Sequence, residues 1–220
     1  MESTENLRIA VGDETVSGAF ARPTGAVATL VLAPGAGSGF DHPFLVGLAG
    51  ALYDAQVATL RFNFLYREAG RKLPDRAPKA IDTWRAAHAA ATDLSPGLPV
   101  WAGGKSFGGR MASMAVAEGM PAAGLVLLGY PLHPPGKPEK LRDEHLYGID
   151  RPMLFVQGTR DPFGSPDEFA PVLQRITAAT FHLVDGANHS FEVRGATRPA
   201  AEIGAALAAV TADFLRAHPA

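Results

Sequence analysis

The segment Trp101-Ala102-Gly103-Gly104-Lys105-Ser106-Phe107-Gly108-Gly109-Arg110 decides how this chain is read. It places four glycines in seven positions around one serine, after an apolar run at 99–102 and before a helix-like run at 107–118. Glycine costs backbone entropy, so such density implies a sharp turn or a close approach of two backbones. Gly104-Lys105-Ser106-Phe107-Gly108 fits G-x-S-x-G in the strand-to-helix context that pattern requires. There the serine is strained and its hydroxyl stands above the sheet. The amide of Phe107, at the helix N-terminus, faces any oxyanion that forms. The plainer alternative is a glycine-rich turn with a helix-capping serine.

On either side of this segment, apolar strand-like runs alternate with longer helix-like runs. The strand runs are 28–33, 57–62, 99–102, 124–128, 153–156 and 180–184. Most are continuously apolar, as strands buried on both faces are. Helices are predicted over 43–55, 78–93, 107–118, 166–176 and 198–216. The first residues differ: 7–11 and 16–21, around a turn at 12–14, predict a hairpin. The order implies an α/β fold, a mostly parallel central sheet with an N-terminal antiparallel hairpin and helices on both faces. Ligands of such sheets bind beyond the carboxyl ends of the strands, so chemistry is sought in the loops that follow them.

A serine needs a histidine base held by an acid. On this fold the partners come in the order serine, acid, histidine, each at the end of a later strand. Asp161 follows the run 153–156, and His189 follows 180–184. Asp185 and Asp167 are the rival acids; Asp161 is preferred because it directly terminates a strand, and Asp185 suits the histidine turn. His182 lies inside a strand run, His88 in a helix and His218 in the tail, while His42 and His133 fall outside the expected order. The second oxyanion amide belongs to the loop after the first parallel strand, Pro34-Gly35-Ala36-Gly37, with Ala36 first and Gly37 second.

These stretches resemble the α/β-hydrolase superfamily, in particular its small dienelactone-hydrolase-like members. The resemblance is nearer still to the branch holding the testis-expressed (Tex-type) hydrolase-like proteins and the hydrolase-like subunit of the chromatin NSL complex. It is carried by PGAGSGFDHP (34–43), RFNFLYRE (61–68), AGGKSFGGRMAS (102–113), GYPLHPPGKPEKLR (129–142), VQGTRDPFG (156–164) and DGANHSF (185–191). The resemblance implies Ser106, Asp161 and His189 as nucleophile, acid and base. One position departs from it: the oxyanion loop of this branch usually begins with histidine, and here Pro34 stands there.

The remaining expectations follow from totals and positions. At 220 residues the chain suits one domain over 1–220. It contains no cysteine, which excludes disulfides, thiolate metal sites and a cysteine nucleophile. The formal net charge of −2 offers nothing for nucleic acid. The polar N-terminus and the absence of a long apolar run predict a cytoplasmic protein with no membrane contact. Only about twenty residues, 130–151, fill the place where many relatives insert a cap, so a short arm and an open site are expected. Phe64, Tyr66, Leu132 and His133 are candidate pocket walls. Lys105, Arg110, Arg61, Arg67 and Lys137 form either a basic rim for anionic esters or ordinary solvated and bracing residues.

Together these predict a serine hydrolase of a small ester or related acyl substrate, with no cofactor and no metal. A catalytically idle fold used as an interaction module is the second reading, and a protein partner is not indicated. A serine acyltransferase or peptidase on the same residues is the third.

Overall fold

The computed structural model describes residues 4–219. β1 (Thr4–Val11) and β2 (Glu14–Ala21) form the hairpin, turning at Gly12 with φ 58°. Then β3 (Ala28–Ala33), α1 (Pro43–Asp54), β4 (Val57–Phe62), the one-turn α2 (Leu65–Glu68), α3 (Ala77–Leu94), β5 (Val100–Lys105) and α4 (Phe107–Ala117) follow. After β6 (Leu125–Leu128) a short arm carries one 3-10 turn, Glu144–Gly148. β7 (Met153–Gly158), α5 (Pro166–Leu173), β8 (Ala179–Val184), α6 (Ala200–Ala206) and α7 (Ala208–Ala217) complete the chain.

The eight strands lie in the order β1-β2-β4-β3-β5-β6-β7-β8, antiparallel at β1/β2 and β2/β4 and parallel from β4 onward. The chain winds from β3 outward to β4, then returns to place β5 on the other side of β3. That reversal opens a crevice above the carboxyl ends of β3 and β5. The loops beginning at Pro34 and Ser106 line it.

Alternation along the continuously buried strands builds two cores. Leu30, Leu32, Val126, Leu128, Leu154 and Val156 face α1, α6 and α7. Val31, Ala33, Leu125, Leu127, Met153 and Phe155 belong to the opposite core, with Trp84 of α3 and Met111 of α4. Each such fully buried large side chain contributes about 1.5–3 kcal/mol, and together these layers hold the strand ends rigid beneath the crevice.

Several elements depart from expectation. β5 runs through Gly103 and Gly104 to Lys105 instead of ending at Ala102. A Cβ on Gly104 would lie 2.5 Å from the Ala33 carbonyl oxygen, so these glycines are the price of neighbouring strands lying so close. The tail helix is two helices, because the Leu207 amide bonds back three residues to Gly204 in a tightened turn. β8 is the sheet edge and only half-buried, where continuous burial was expected. Among the described residues no helix is long and apolar enough to cross a membrane.

Candidate active site

Ser106 sits between β5 and α4 with φ 50° and ψ −113°, a left-handed conformation that non-glycine residues rarely adopt. Its backbone is held at both ends: its amide donates to Leu128 O at 2.9 Å and its carbonyl accepts from Arg110 N at 3.0 Å. The turn is tight enough that a Cβ on Gly108 would lie 2.6 Å from the carbonyl oxygens of both Ala33 and Pro34. Such strain costs on the order of 1–3 kcal/mol. It orients the hydroxyl instead of capping the helix: Ser106 makes no side-chain cap bond to α4.

His189 Nε2 is 2.8 Å from Ser106 Oγ, and His189 Nδ1 is 2.7 Å from Asp161 Oδ2. The Asp161 side chain is 0% exposed and that of His189 is 21% exposed, so the acid is dry and the imidazole remains reachable. The carboxylate also accepts from Gln157 Nε2 at 2.9 Å and from the Phe163 amide at 2.9 Å. Phe163 stacks on the imidazole with centroids 4.1 Å apart. The rival acids lie elsewhere. Asp185 accepts from Thr159 Oγ at 3.4 Å in the turn before His189, and Asp167 is in the first turn of α5. Gln157 and Phe163 were not singled out from sequence; Gln157, fully buried at the end of an apolar strand, carried the one readable signal.

Lys105 is the surprise of the segment. Its ammonium donates to the His189 carbonyl oxygen at 2.5 Å and lies 5.5 Å from the Phe191 ring centroid. It therefore ties the serine turn to the histidine loop and is not a solvated rim residue. Burial lowers its pKa to about 8, and the Asp161 charge opposes part of that shift.

The loop 34–40 completes the crevice. The Gly37 amide donates to Tyr66 Oη at 3.0 Å, which removes it as an oxyanion donor and leaves Ala36 beside Phe107 on the cavity wall. Asn63 Oδ1 accepts from the Phe40 amide at 2.8 Å, and Arg61 donates to Phe40 O at 3.0 Å. Thus Arg61, Asn63 and Tyr66, all at the end of β4 or just after it, brace a loop that begins with proline.

The expected pocket walls need correcting. Phe64, Tyr66, Leu132 and His133 are all buried, at 0%, 0%, 0% and 3% exposure, and none lines the cavity. The unexpected helix α2 folds Phe64 and Tyr66 into the core against Phe107. His133 ties the arm to α5 through Glu168, with Nε2 at 3.3 Å from Oε1. The basic rim also differs from expectation. Arg61 is buried, and Arg67 and Lys137 do not line the cavity, whereas Arg110 does, joined by Arg142 of the arm.

The cavity over Ser106 has a volume of about 620 Å³. Phe44, Leu45, Ala200 and Ile203 form an apolar wall on the α1–α6 side, and Pro131, Arg110 and Arg142 form the arm side. Among the described residues no group of three His, Cys, Asp or Glu side chains is placed to hold a metal ion. The arrangement is suited to moving a proton from a hydroxyl to an imidazole, with Ala36 and Phe107 on the cavity wall beside the hydroxyl.

Comparison with known proteins places the fold. The dienelactone hydrolase of Anabaena variabilis superposes with TM-score 0.81 at 22% identity, over 100% of this chain and 99% of that one. An esterase of Pyrococcus furiosus gives 0.78 at 15% identity, over 100% and 92% of the two chains. A lidless α/β serine hydrolase of Xanthomonas campestris gives 0.74 at 18% identity, over 99% and 96%. These likenesses concern the fold. Residues 26–215, nearly the whole chain, match the model of the alpha/beta hydrolase domain, and the protein belongs to that family.

Proposed function

We propose that this protein is a serine hydrolase that cleaves an ester or related acyl bond of a small substrate, acting as one domain over residues 1–220. The observation that supports this most is the unbroken hydrogen-bonded line from Ser106 Oγ through His189 to Asp161, at 2.8 and 2.7 Å. In this reading His189 Nε2 takes the Ser106 proton as Oγ attacks the carbonyl carbon. Asp161 fixes the tautomer and stabilises the imidazolium. The Ala36 and Phe107 amides bind the oxyanion, a donor of this kind being worth about 10²–10³ in kcat. His189 then returns the proton to the leaving alcohol, and water releases the acyl group by the same steps. The six stretches 34–43, 61–68, 102–113, 129–142, 156–164 and 185–191 are the basis for placing the chain near the Tex-type and NSL-complex hydrolase-like branch, and side chains of the second of them, Arg61, Asn63 and Tyr66, brace the loop after β3. No cofactor is needed for this chemistry.

The test is labelling with a fluorophosphonate probe. Wild type is expected to label, and Ser106→Ala and His189→Ala are expected to lose labelling by at least about 100-fold. A folded wild type that does not label would overturn the reading.

A further inference from the structure

The two walls of the cavity come from opposite faces of the sheet, and they differ in chemistry. On one face α1 and α6 present Phe44, Leu45 and Ile203. On the other, α4 and the arm present Arg110 and Arg142. Ser106 lies at the seam, between the end of β5 and the start of α4.

The two arginines are placed against their own interest. Among the described residues neither forms a salt bridge, and the buried Nε of Arg110 has no hydrogen-bond partner. Burial lowers the pKa of Arg142, and the charge of Arg110 lowers it further, so the two guanidiniums feel one another. No carboxylate among the described residues is ion-paired with either arginine. Asp143 accepts from the Tyr147 hydroxyl, and Asp161 holds His189. Glu192, which also lines the cavity, accepts from Asn188 Nδ2 at 3.0 Å on an exposed loop. The Lys105 ammonium is engaged by the His189 carbonyl. Two neighbouring cations that both line the cavity and have no ion-pair partner among the described residues suit a carboxylate: planar guanidinium donors match a carboxylate's two oxygens.

We infer that the site takes esters with two unlike ends, a carboxylate held by Arg110 and Arg142 and a short apolar group held by the α1–α6 wall. This rests on the hydrolase reading above. Arg110 is four residues past Ser106 on α4 and bonded to its carbonyl, which places its Cα about 6 Å further along the helix axis.

The experiment compares monobutyl succinate with its neutral isostere, butyl methyl succinate, in wild type, Arg110→Gln, Arg142→Gln and the double variant. Wild type is expected to favour the anion by about 10- to 100-fold in kcat/KM at low salt, each single variant to lose most of that preference, and the double variant all of it. Arg110→Lys, which keeps the charge, guards against misfolding of the Gln variant and is expected to retain part of the preference. Binding of monobutyl succinate to Ser106→Ala, by calorimetry, separates the two readings. Arginine-dependent binding without turnover in wild type would sustain the anion site and sink the hydrolase. Equal turnover of both esters, unaltered in the double variant, would overturn the anion site and leave the hydrolase standing.

Discussion

Lys105 and Ser106 are neighbours with opposite tasks. The serine is turned up into the crevice by its left-handed backbone, while the lysine turns aside to hold the histidine loop by its carbonyl. The sign of its effect on stability is worked out from its pKa. The folded amine titrates near 8 and the ordinary value is 10.5, so between those limits the unfolded chain holds a proton the folded chain has released. Stability from this group therefore increases with pH across that window. Below about pH 8 both states are charged, and the burial cost is carried in full. Urea unfolding of wild type and Lys105→Met at several pH values should show the difference moving in favour of wild type from about pH 8 to 10.5. A difference that stays flat would contradict the assignment. The substitution is also expected to lower kcat more than it raises KM, since it loosens His189 and leaves Phe44, Ile203, Arg110 and Arg142 in place.

At the scale of elements, the arm after β6 is held by a buried polar cluster. Ser113 Oγ donates its single proton to Arg110 O at 2.8 Å, so the 2.8 Å contact between His145 Nε2 and Ser113 Oγ must be an imidazole N–H donating to the hydroxyl. Tyr130 Oη donates to Arg142 O at 2.6 Å in the same cluster. Burial lowers the His145 pKa to about 4, and the charge of Arg110 lowers it further while Asp143 opposes. His145 is thus neutral in the folded arm at pH values where the unfolded chain, near 6.5, binds a proton. Its contribution is fully present above pH 6.5 and is lost as pH falls toward 4. His145→Gln should flatten the acid limb of a stability–pH curve between those values, as read by thermal melts.

At the scale of the whole molecule, the apolar wall depends on how closely α1 and α6 pack. A Cβ on Gly204 would fall inside the Phe44 carbonyl oxygen, and one on Gly47 inside that of Ala201. The helices meet backbone to backbone, which brings Phe44 and Ile203 to the cavity together. Gly204→Ala must push them apart, at a cost of about 1–3 kcal/mol or more. The expected outcome is a lower Tm and a raised KM for esters with an apolar end, with fluorophosphonate labelling of Ser106 retained. An unchanged Tm would show that the interface accommodates the methyl group.

Much of this was legible in one dimension, because it rests on local patterns. Continuous apolar runs placed β3 and β4 with the bounds observed, since strands buried on both faces admit no polar alternation. Glycine density located the serine turn, since only glycine lets two backbones approach so closely there. The positions of Asp161 and His189 just after successive strand runs were readable because an apolar run marks where each strand ends. Other features were decided only by tertiary structure. An aromatic residue in a loop after a strand reads equally as pocket wall or core, and the short turn of α2 sent Phe64 and Tyr66 inward. A lysine beside a serine reads as solvated until the histidine loop, 84 residues on, offers it a carbonyl. Arg110 and Arg142 face one cavity because the arm folds back onto α4, and no periodicity encodes that. Local geometry depends on each residue's own backbone and neighbours, whereas the use of a polar side chain depends on which distant groups the packed sheet brings within about 3 Å of it.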